Sequence, residues 1–361
     1  MNVPKTRHKH AAGLIYGPEG QHLDHVAVIC CLMEIPLIVT DLDIFDLARK
    51  YYPHLEVVHL EYVHVAMQVV QDFDLIFSAL PRPLIEDIFF FAERFCHKQI
   101  QSIWCPHGNS DKGYLAPFME GLSKETVALV YGNKMIDFLK DKGSFAQLKA
   151  HVLLSNFRYT FYKREKAFYE ALVSREILDK LPPDQKVVLY APTWEDSEKS
   201  SSFFRACPEL IERLPKGYNL IIKPHPHLLA QVKTEQLMWK YEERRNVLFL
   251  KQFPPIYPLL NVVDIYIGDM SSIGYDFLAF DRPLFFLNQN ERDAKRDPGL
   301  YLYRCGIEIK PDSYSKIYEI MNYYLPTEAD DFSKIRKEVY EYAFGAEKNW
   351  DVLRQDILNS Y

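Results

Sequence analysis

Short apolar runs alternate with longer amphipathic stretches along the first half of the chain. Helix-like stretches such as LDHVAVICCLM, IFDLARKYY and PLIEDIFFFAERFC separate the apolar runs. The strand-like runs are AAGLIY (11–16), PLIVTD (36–41), LEVVHL (55–60), DLIFSAL (74–80), QSIWCP (101–106) and TVALVYG (126–132). Continuous apolar strands separated by helices predict parallel sheets that are covered on both faces.

The same alternation begins again after a break in the middle of the chain. A charged amphipathic stretch, FYKREKAFYEALVSREIL (161–178), is followed by the breaker LPPDQ, where we place the domain boundary. The second set of strand-like runs is KVVLYAP (186–192), YNLIIKPHP (218–226), NVLFLK (246–251), DIYIGDM (264–270) and PLFFLN (283–288). From about residue 313 onward the pattern is helical.

These patterns predict an α/β chain with two doubly wound, Rossmann-like domains that face each other across a cleft. We expect an N-terminal domain over residues 1–165 and a C-terminal domain over residues 180–330. The helices over residues 331–361 are expected to pack back on the first domain. A length of 361 residues agrees with two domains.

The net charge, the cysteine spacing and the apolar runs argue against several classes of function. The net charge of −6 offers no basic face for nucleic acid. The six cysteines show no CxxC spacing, so neither a zinc ribbon nor a redox pair is indicated. The longest apolar run, HVAVICCLMEIPLIV, is interrupted by Glu34 and Pro36 and is too short to span a bilayer. Because the N-terminus also lacks a signal-peptide pattern, we expect a cytoplasmic protein that contacts membranes only peripherally.

Ligands of doubly wound sheets bind beyond the carboxyl ends of the strands, so the loops there are the candidate sites. In SIWCPHGNSDKG (102–113), His107 follows a strand and Gly108 permits a close backbone approach. Histidine titrates near neutral pH and can act as a general base, although a hydrogen-bonded loop histidine is the simpler interpretation. In YAPTWEDSEKSSSFF (190–204), Thr193 can donate to a phosphate and Trp194 can form a wall, unless this is an ordinary strand-to-helix loop.

The stretch LIIKPHPHLLA places Lys223 and His225 at the end of a strand and beside the start of a helix. That position suits an anion, because partial positive charge collects at a helix N-terminus. A structural turn is the main alternative, and a metal site is less favoured because no further ligands complete a set. His225 and His227 are expected to diverge across Pro226.

In DIYIGDMSSIGYDFLAFDRPLFFLN (264–288), a strand ends at Gly268–Asp269 and Ser271–Ser272 open a helix. Serine hydroxyls together with free backbone N–H groups can hold a phosphate, although a simple helix cap is common at such positions. The sequence contains neither a P-loop nor a complete GxGxxG, so a kinase or a dinucleotide-dependent oxidoreductase has no support.

The ordered set W-x-PHG, APTW, KPHP and GDMSSIGYDFLAFDRP, over roughly residues 100–290, resembles the CDP-glycerol glycerophosphotransferase family. That resemblance implies a GT-B fold and an enzyme of bacterial teichoic-acid biosynthesis. It also implies that His107 is a catalytic base, that His225 acts at the donor phosphates, and that Ser271 and Ser272 hold the donor pyrophosphate. The residues Lys223, Thr193, Asp269 and Gly108 lie within the matching motifs and are assigned to the donor site.

The chain departs from the family pattern at two places. The usual Trp–His–Gly run is extended to WCPHG, and the glycine-rich, arginine-containing stretch is represented only by LLSNFRYTFYK with Arg158. The N-terminal half carries little family signal, so the acceptor is not specified by the sequence. By resemblance, the acceptor is a hydroxyl of a lipid-linked glycan or polymer.

The resulting hypothesis is the transfer of a polyol phosphate from CDP-glycerol or a related donor to an acceptor hydroxyl, with release of CMP and without a cofactor. Three alternatives remain open at this point. One is a GT-B glycosyltransferase or epimerase-like enzyme that uses a UDP- or CMP-sugar. The others are a metal-dependent hydrolase built on the histidine pair and an inactive donor-binding protein.

Overall fold

A computed structural model describes residues 10–112, 122, 124–195 and 198–361 of the chain. The strands are β1 (Ala11–Ile15), β2 (Leu37–Val39), β3 (Val57–His59), β4 (Leu75–Ser78), β5 (Gln101–Trp104), β6 (Val127–Val130), β7 (Ala150–Leu153), β8 (Lys186–Ala191), β9 (Tyr218–Ile222), β10 (Val247–Phe249), β11 (Ile265–Gly268), β12 (Leu284–Leu287) and β13 (Ile307–Ile309). Every apolar run that was predicted as a strand forms one. Gly113 of the 102–113 loop and residues 196 and 197 of the 190–204 loop lie outside the described part.

The helices follow the amphipathic stretches between the strands. They are α1 (Leu23–Met33), α2 (Leu42–Tyr51), α3 (Tyr62–Asp72), α4 (Glu86–Cys96), α5 (Asn133–Asp141), α6 (Phe157–Arg164), α7 (Lys166–Glu176), α8 (Phe203–Glu212), α9 (Pro226–Leu229), α10 (Val232–Lys240), α11 (Ile256–Asn261), α12 (Ile273–Phe277), α13 (Ile317–Tyr324), α14 (Glu328–Phe344) and α15 (Trp350–Leu358). The predicted helical C-terminus is confirmed. In the described residues, no helix combines the length and the apolar character that a membrane crossing requires.

Two strands were missed by the pattern of apolar runs, and both lie at the edge of a sheet. The strand β7 is an edge strand of the seven-stranded sheet and has only one fully buried residue. The strand β13 is an edge strand of the six-stranded sheet. An edge strand is covered incompletely, so its sequence need not carry the continuous apolar run of a central parallel strand, although the edge strands β3 and β10 do carry one.

The chain forms two compact units. The first unit comprises residues 1–107, 119–158 and 346–361, and the second comprises residues 108–118 and 159–345. Both contain an all-parallel sheet between helices, so the prediction of two Rossmann-like units is confirmed.

The first unit has a seven-stranded sheet with the order β3-β2-β1-β4-β5-β6-β7. Because β1 pairs with both β2 and β4, the direction of chain winding reverses at β1. Its C-terminal segment is fixed by an ion pair of 2.7 Å between Arg354 and Glu34 and by a ring contact between Tyr361 and Phe77. These contacts place residues 346–361 beside α1 and the sheet.

The second unit has a six-stranded sheet with the order β10-β9-β8-β11-β12-β13. The winding direction reverses between β8 and β11, which are paired in register from Val188–Ile265 to Ala191–Gly268. Buried residues of the strands and of α8, including Leu210 and Ile211, form the core on one face. This reversal creates a switch point, where ligands of open parallel sheets bind.

Candidate functional site

Three of the four candidate loops follow neighbouring strands of the second unit. Lys223 follows β9, Thr193 follows β8, and Asp269 follows β11. Since β9, β8 and β11 are adjacent in the sheet, their carboxyl ends lie side by side at the switch point. The fold therefore brings these predicted residues to one edge of the sheet.

Asp269 organises this edge through three hydrogen bonds. Its Oδ1 accepts from the Thr193 N–H at 2.7 Å, and its Oδ2 accepts from the N–H and the hydroxyl of Ser202 at 2.9 and 2.8 Å. Burial raises the pKa of the Asp269 carboxyl to about 6, against the lowering effect of these hydrogen bonds. Asp269 therefore holds the loop after β8 in place. Its carboxylate is not expected to contact a phosphate, because two negative groups repel each other.

Lys112 brings a positive charge to the same edge. Its ammonium group donates a hydrogen bond to the Thr193 hydroxyl and lies 5.4 Å from the centroid of the Trp194 ring. Lys112 belongs to the loop that begins at Gly108, and this loop is part of the second unit. The sequence pattern did not identify Lys112, although it stands only five residues after His107 in the same strand-end loop.

Asp111 fixes this loop to the second unit. One of its carboxylate oxygens accepts from the Tyr275 hydroxyl at 2.7 Å, and the other accepts from the Leu302 N–H at 2.9 Å. Asn109 adds a hydrogen bond of 3.2 Å to the Ala343 carbonyl. These bonds are all buried, so the loop that carries Lys112 is held at defined points.

Gly108 lies directly against Ser272. A Cβ atom at Gly108 would stand 2.9 Å from both the Cβ and the Oγ of Ser272, and the φ of Gly108 is +128°. Both conditions require glycine. The Ser271 hydroxyl accepts from the Ile273 N–H at 3.4 Å, whereas Ser272, at the position before α12, makes no side-chain cap bond to the described residues.

The KPHP turn carries a cluster of rings. His225 stands immediately before α9, and its Nδ1 accepts from the His227 N–H at 3.2 Å. The two imidazole centroids are 5.0 Å apart, and Trp194 lies 6.1 Å from His225 and 5.0 Å from His227. The prediction that the two histidine side chains diverge was wrong. The hydrogen bond from the His227 N–H turns the His225 ring toward the first turn of α9, where it meets the His227 ring. Lys223 donates to the Phe253 carbonyl at 3.1 Å.

His107 belongs to the first unit, where it follows β5. Its imidazole centroid lies 4.8 Å from that of His22. Removal from water lowers the pKa of His107 to about 4, since burial disfavours the charged imidazolium. At neutral pH the ring is therefore uncharged and able to accept a proton.

His22 and His25 are site residues that the sequence pattern did not identify. Both are buried, and the Nδ1 of His25 lies 2.7 Å from the Tyr131 hydroxyl. Burial, reinforced by the nearby Arg158 guanidinium, holds the pKa of His25 well below its usual range. The only signal in the sequence is their place after β1, at the winding reversal of the first sheet.

Arg158 supports this histidine cluster from the start of α6. It forms a buried ion pair of 3.0 Å with Asp24, whose other oxygen accepts from the Tyr52 hydroxyl at 2.7 Å. Its guanidinium carbon lies 5.8 Å from the Tyr131 ring centroid. The arginine of the LLSNFRYTFYK stretch is thus part of the first unit's polar core. Across the described residues, no group of three or more His, Cys, Asp or Glu side chains is arranged to hold a metal ion.

Comparison with known proteins finds matches over part of the sequence and over the fold. Residues 158–306 match the family model described as CDP-Glycerol:Poly(glycerophosphate) glycerophosphotransferase. A segment of 139 residues is 30% identical to the teichoic acid glycerol-phosphate primase of Bacillus spizizenii strain W23, and it covers 37% of this chain and 34% of the primase. The chain spans about a third of the length of the curated relatives it matches.

Solved structures extend the likeness to nearly the whole chain. A variant of the wall teichoic acid polymerase TagF that was soaked with CDPG aligns with a TM-score of 0.65 at 13% identity, over 97% of this chain and 89% of that one. The S. aureus MnaA–UDP structure aligns with a TM-score of 0.62 at 11% identity, over 98% and 95%. At these identities the likeness concerns the fold, and it confirms the predicted GT-B architecture.

Proposed function

We propose that this chain, whose residues 158–306 belong to the CDP-glycerol glycerophosphotransferase family, transfers a polyol phosphate from a CDP-activated donor to an acceptor hydroxyl. The observation that carries the proposal is the contact between Gly108 and Ser272. Two motifs that are far apart in the sequence meet there, at the ligand-binding edge of the second sheet. Such a close approach leaves backbone and hydroxyl donors near the place that a diphosphate would occupy.

The donor is assigned to the second unit. Its phosphates carry negative charge, and the basic side chains near the ends of β8 and β9 include Lys112, Lys223 and His225. The hydroxyls of Ser271 and Ser272 add hydrogen-bond donors. Thr193 and Asp269 act by holding the loop, because the backbone of Thr193 is bound to Asp269. Hydrogen bonds from a charged side chain to phosphate are stronger than those between neutral groups. The basic residues are therefore expected to contribute most to donor affinity.

His107 is assigned the role of general base. Its neutral imidazole accepts the proton of the acceptor hydroxyl, and the hydroxyl oxygen forms a bond to the phosphorus that bears the glycerol. The bond from that phosphorus to the bridging oxygen breaks, and the oxygen leaves with its electron pair as part of CMP. Positioning and stabilisation of the phosphoryl charge supply most of the rate in such transfers.

Substitution of His107 by alanine tests this assignment. A positioned base contributes about 10²–10⁴-fold, so CMP release by the His107→Ala variant should fall by that factor. Donor binding, followed as the rise in melting temperature with CDP-glycerol, should stay as in the wild type. Loss of donor binding in this variant would contradict the separation of roles.

A ligand panel decides between polyol and sugar donors. The wild-type protein is mixed in turn with CDP-glycerol, CDP-ribitol, UDP-sugars and CMP-sugars, and the melting temperature is followed. A rise with a CDP-polyol supports the proposal. A rise with UDP-sugars alone would instead support the glycosyltransferase or epimerase-like alternative.

The acceptor and the location belong to the same proposal. A lipid-linked glycan or polymer would bring this chain to a membrane surface, and the protein would act there from the cytoplasmic side. Flotation of the purified chain with vesicles that contain such an acceptor, compared with plain vesicles, tests this. Flotation that does not depend on the acceptor would contradict recruitment through the substrate.

A further inference from the structure

A shallow, largely open surface cavity of about 420 Å³ lies in the first unit at the carboxyl ends of β2 and β3. Its lining includes Thr40, Asp41, Asp43, His59, Glu61 and Tyr62. The cavity adjoins the loop after β1, because the Gly17 N–H donates to the Thr40 hydroxyl at 2.7 Å. It therefore occupies the ligand-binding edge of the first sheet, and none of its residues serves the donor site.

The polar groups of the lining are mainly hydrogen-bond acceptors. Asp41 caps α2, and both cap bonds, from the N–H groups of Asp43 and Ile44 at 3.0 and 3.2 Å, end on its Oδ1. No described residue donates to the second carboxylate oxygen of Asp41. The carboxylate of Asp43 is exposed, and that of Glu61 lies 3.7 Å from the imidazole of His64. Carboxylates bind hydroxyl groups by accepting their hydrogens.

The negative charge of the lining selects against anions. Its described residues include three carboxylates and neither lysine nor arginine, so a phosphate group would be repelled. The three carboxylates are also not arranged as a metal-binding group among the described residues. An uncharged molecule with several hydroxyl groups satisfies both conditions.

Tyr62 adds an aromatic wall. Its ring is 60% exposed, and it stacks on the Tyr16 ring with centroids 4.6 Å apart and an angle of 25°. The Tyr16 hydroxyl is hydrogen-bonded to Asp87, so the supporting ring is itself held in place. An aromatic face beside carboxylate acceptors suits a sugar or polyol, whose C–H face packs on the ring while its hydroxyls turn to the carboxylates.

The order of the strands sets the distance between this cavity and His107. Three strand spacings separate β2 from β5, which is about 14 Å along the sheet edge. A single sugar ring is too short to extend from the cavity to His107. We propose that the cavity binds an uncharged sugar or polyol unit of the acceptor, away from the hydroxyl that reacts at His107. This inference rests on the proposed function, since it identifies the class of acceptor.

Binding of small sugars to the donor-free protein tests the inference. The probes are the methyl glycosides of glucose, galactose and N-acetylglucosamine, together with ribitol, and glycerol 3-phosphate serves as the anionic comparison. Ligand-observed NMR compares the wild type with Asp41→Asn, Tyr62→Ala and Tyr62→Phe. Asparagine caps a helix as well as aspartate does, so Asp41→Asn removes the charge without removing the cap.

At least one uncharged probe should bind the wild type, and glycerol 3-phosphate should not. Tyr62→Ala and Asp41→Asn should each weaken that binding by about tenfold, whereas Tyr62→Phe should leave it within about twofold. Absence of binding by every uncharged probe, or binding that neither Tyr62→Ala nor Asp41→Asn weakens, would overturn the inference. Failure of the proposed function gives a different result, namely a wild type that binds sugars but neither binds nor cleaves CDP-glycerol.

Discussion

The imidazole rings of His22 and His107 lie 4.8 Å apart in the first unit, and His22 is almost completely buried. His22 thereby covers one side of the His107 ring and keeps water from it. His25 is buried close by, and burial together with the Arg158 guanidinium also lowers the pKa of His25. Burial, to which this contact contributes, keeps a histidine with an ordinary pKa of 6.5 neutral.

Removal of His22 should raise the pKa of His107. In the wild type the His107 pKa is about 4, so the ring loses its proton well below neutral pH. His22→Ala admits water and should move the midpoint toward 6.5, and the acidic limb of the kcat/KM profile for CMP release should move with it. NMR titration of the imidazole signals measures the midpoint directly. His22→Phe retains the covering ring and is the control, and an unchanged midpoint in His22→Ala would contradict the shielding role.

Replacement of Asp269 by asparagine should loosen the loop after β8. The amide keeps one acceptor but turns an N–H₂ group toward the donors of Thr193 or Ser202. An unsatisfied buried group costs about 1–3 kcal/mol, and the free energy of unfolding should fall by that amount. Donor affinity should fall as well, because Thr193 is no longer held. Denaturant unfolding and isothermal titration with CDP-glycerol measure the two effects.

The cost of Asp269→Asn should depend on pH. The pKa of Asp269 in the folded protein is about 6, above its ordinary value of 3.8, so folding favours the protonated acid. Its stabilising contribution is complete below about pH 4 and is lost as the pH rises through about 6. Asparagine does not titrate, so the stability difference between wild type and variant should be largest near pH 4. A difference that is constant from pH 4 to pH 7 would refute the raised pKa.

Substitution of Gly108 by alanine should disrupt the contact with Ser272. The added Cβ would meet Ser272 at 2.9 Å in a backbone conformation with φ of +128°. We expect CMP release to fall by about tenfold or more, because the displaced turn carries His107. Gly217→Ala is the matched control, since Gly217 also has a positive φ, +84°, but has open space around it. If both variants lost activity equally, backbone strain alone would explain the effect, and the contact with Ser272 would not be needed.

Removal of the Lys112 charge should weaken donor binding. A hydrogen bond to a charged group contributes about 1.5–3 kcal/mol, so Lys112→Ala should raise the Kd for CDP-glycerol by roughly 10- to 100-fold. Lys216→Ala changes an exposed lysine elsewhere in the same unit and should have little effect. Isothermal titration at fixed ionic strength compares the two. A Kd within about twofold of the wild type for Lys112→Ala would remove Lys112 from the donor site.

Much of the fold follows from local pattern. The run KVVLYAP predicts β8 because a strand buried on both faces needs apolar residues throughout. The edge strands β7 and β13 do not show this pattern. They are partly exposed to solvent, so polar residues such as His151 and Glu308 are tolerated in them. The loops with candidate chemistry were also predictable, because ligands collect at the carboxyl ends of parallel strands.

The partners within the site were not predictable in the same way. Lys112 and Thr193 are distant in sequence and meet only because the loop from Gly108 onward packs within the second unit, beside the end of β8. His22 contacts His107 because β1 and β5 are separated by a single strand, β4. The sequence also shows a carboxylate at Asp269 without showing that three donors already occupy it.

The sequence by itself determined most of the elements, the two parallel sheets and the motifs that resemble the CDP-glycerol glycerophosphotransferase family, because hydrophobic periodicity and strand-end loops are local properties of a chain. Only the tertiary structure decided which side chains stand next to one another, and with that the protonation of His107 and Asp269. The reason is physical. A pKa depends on burial and on neighbouring charges, and both are set by strand order and by contacts between residues far apart in the sequence.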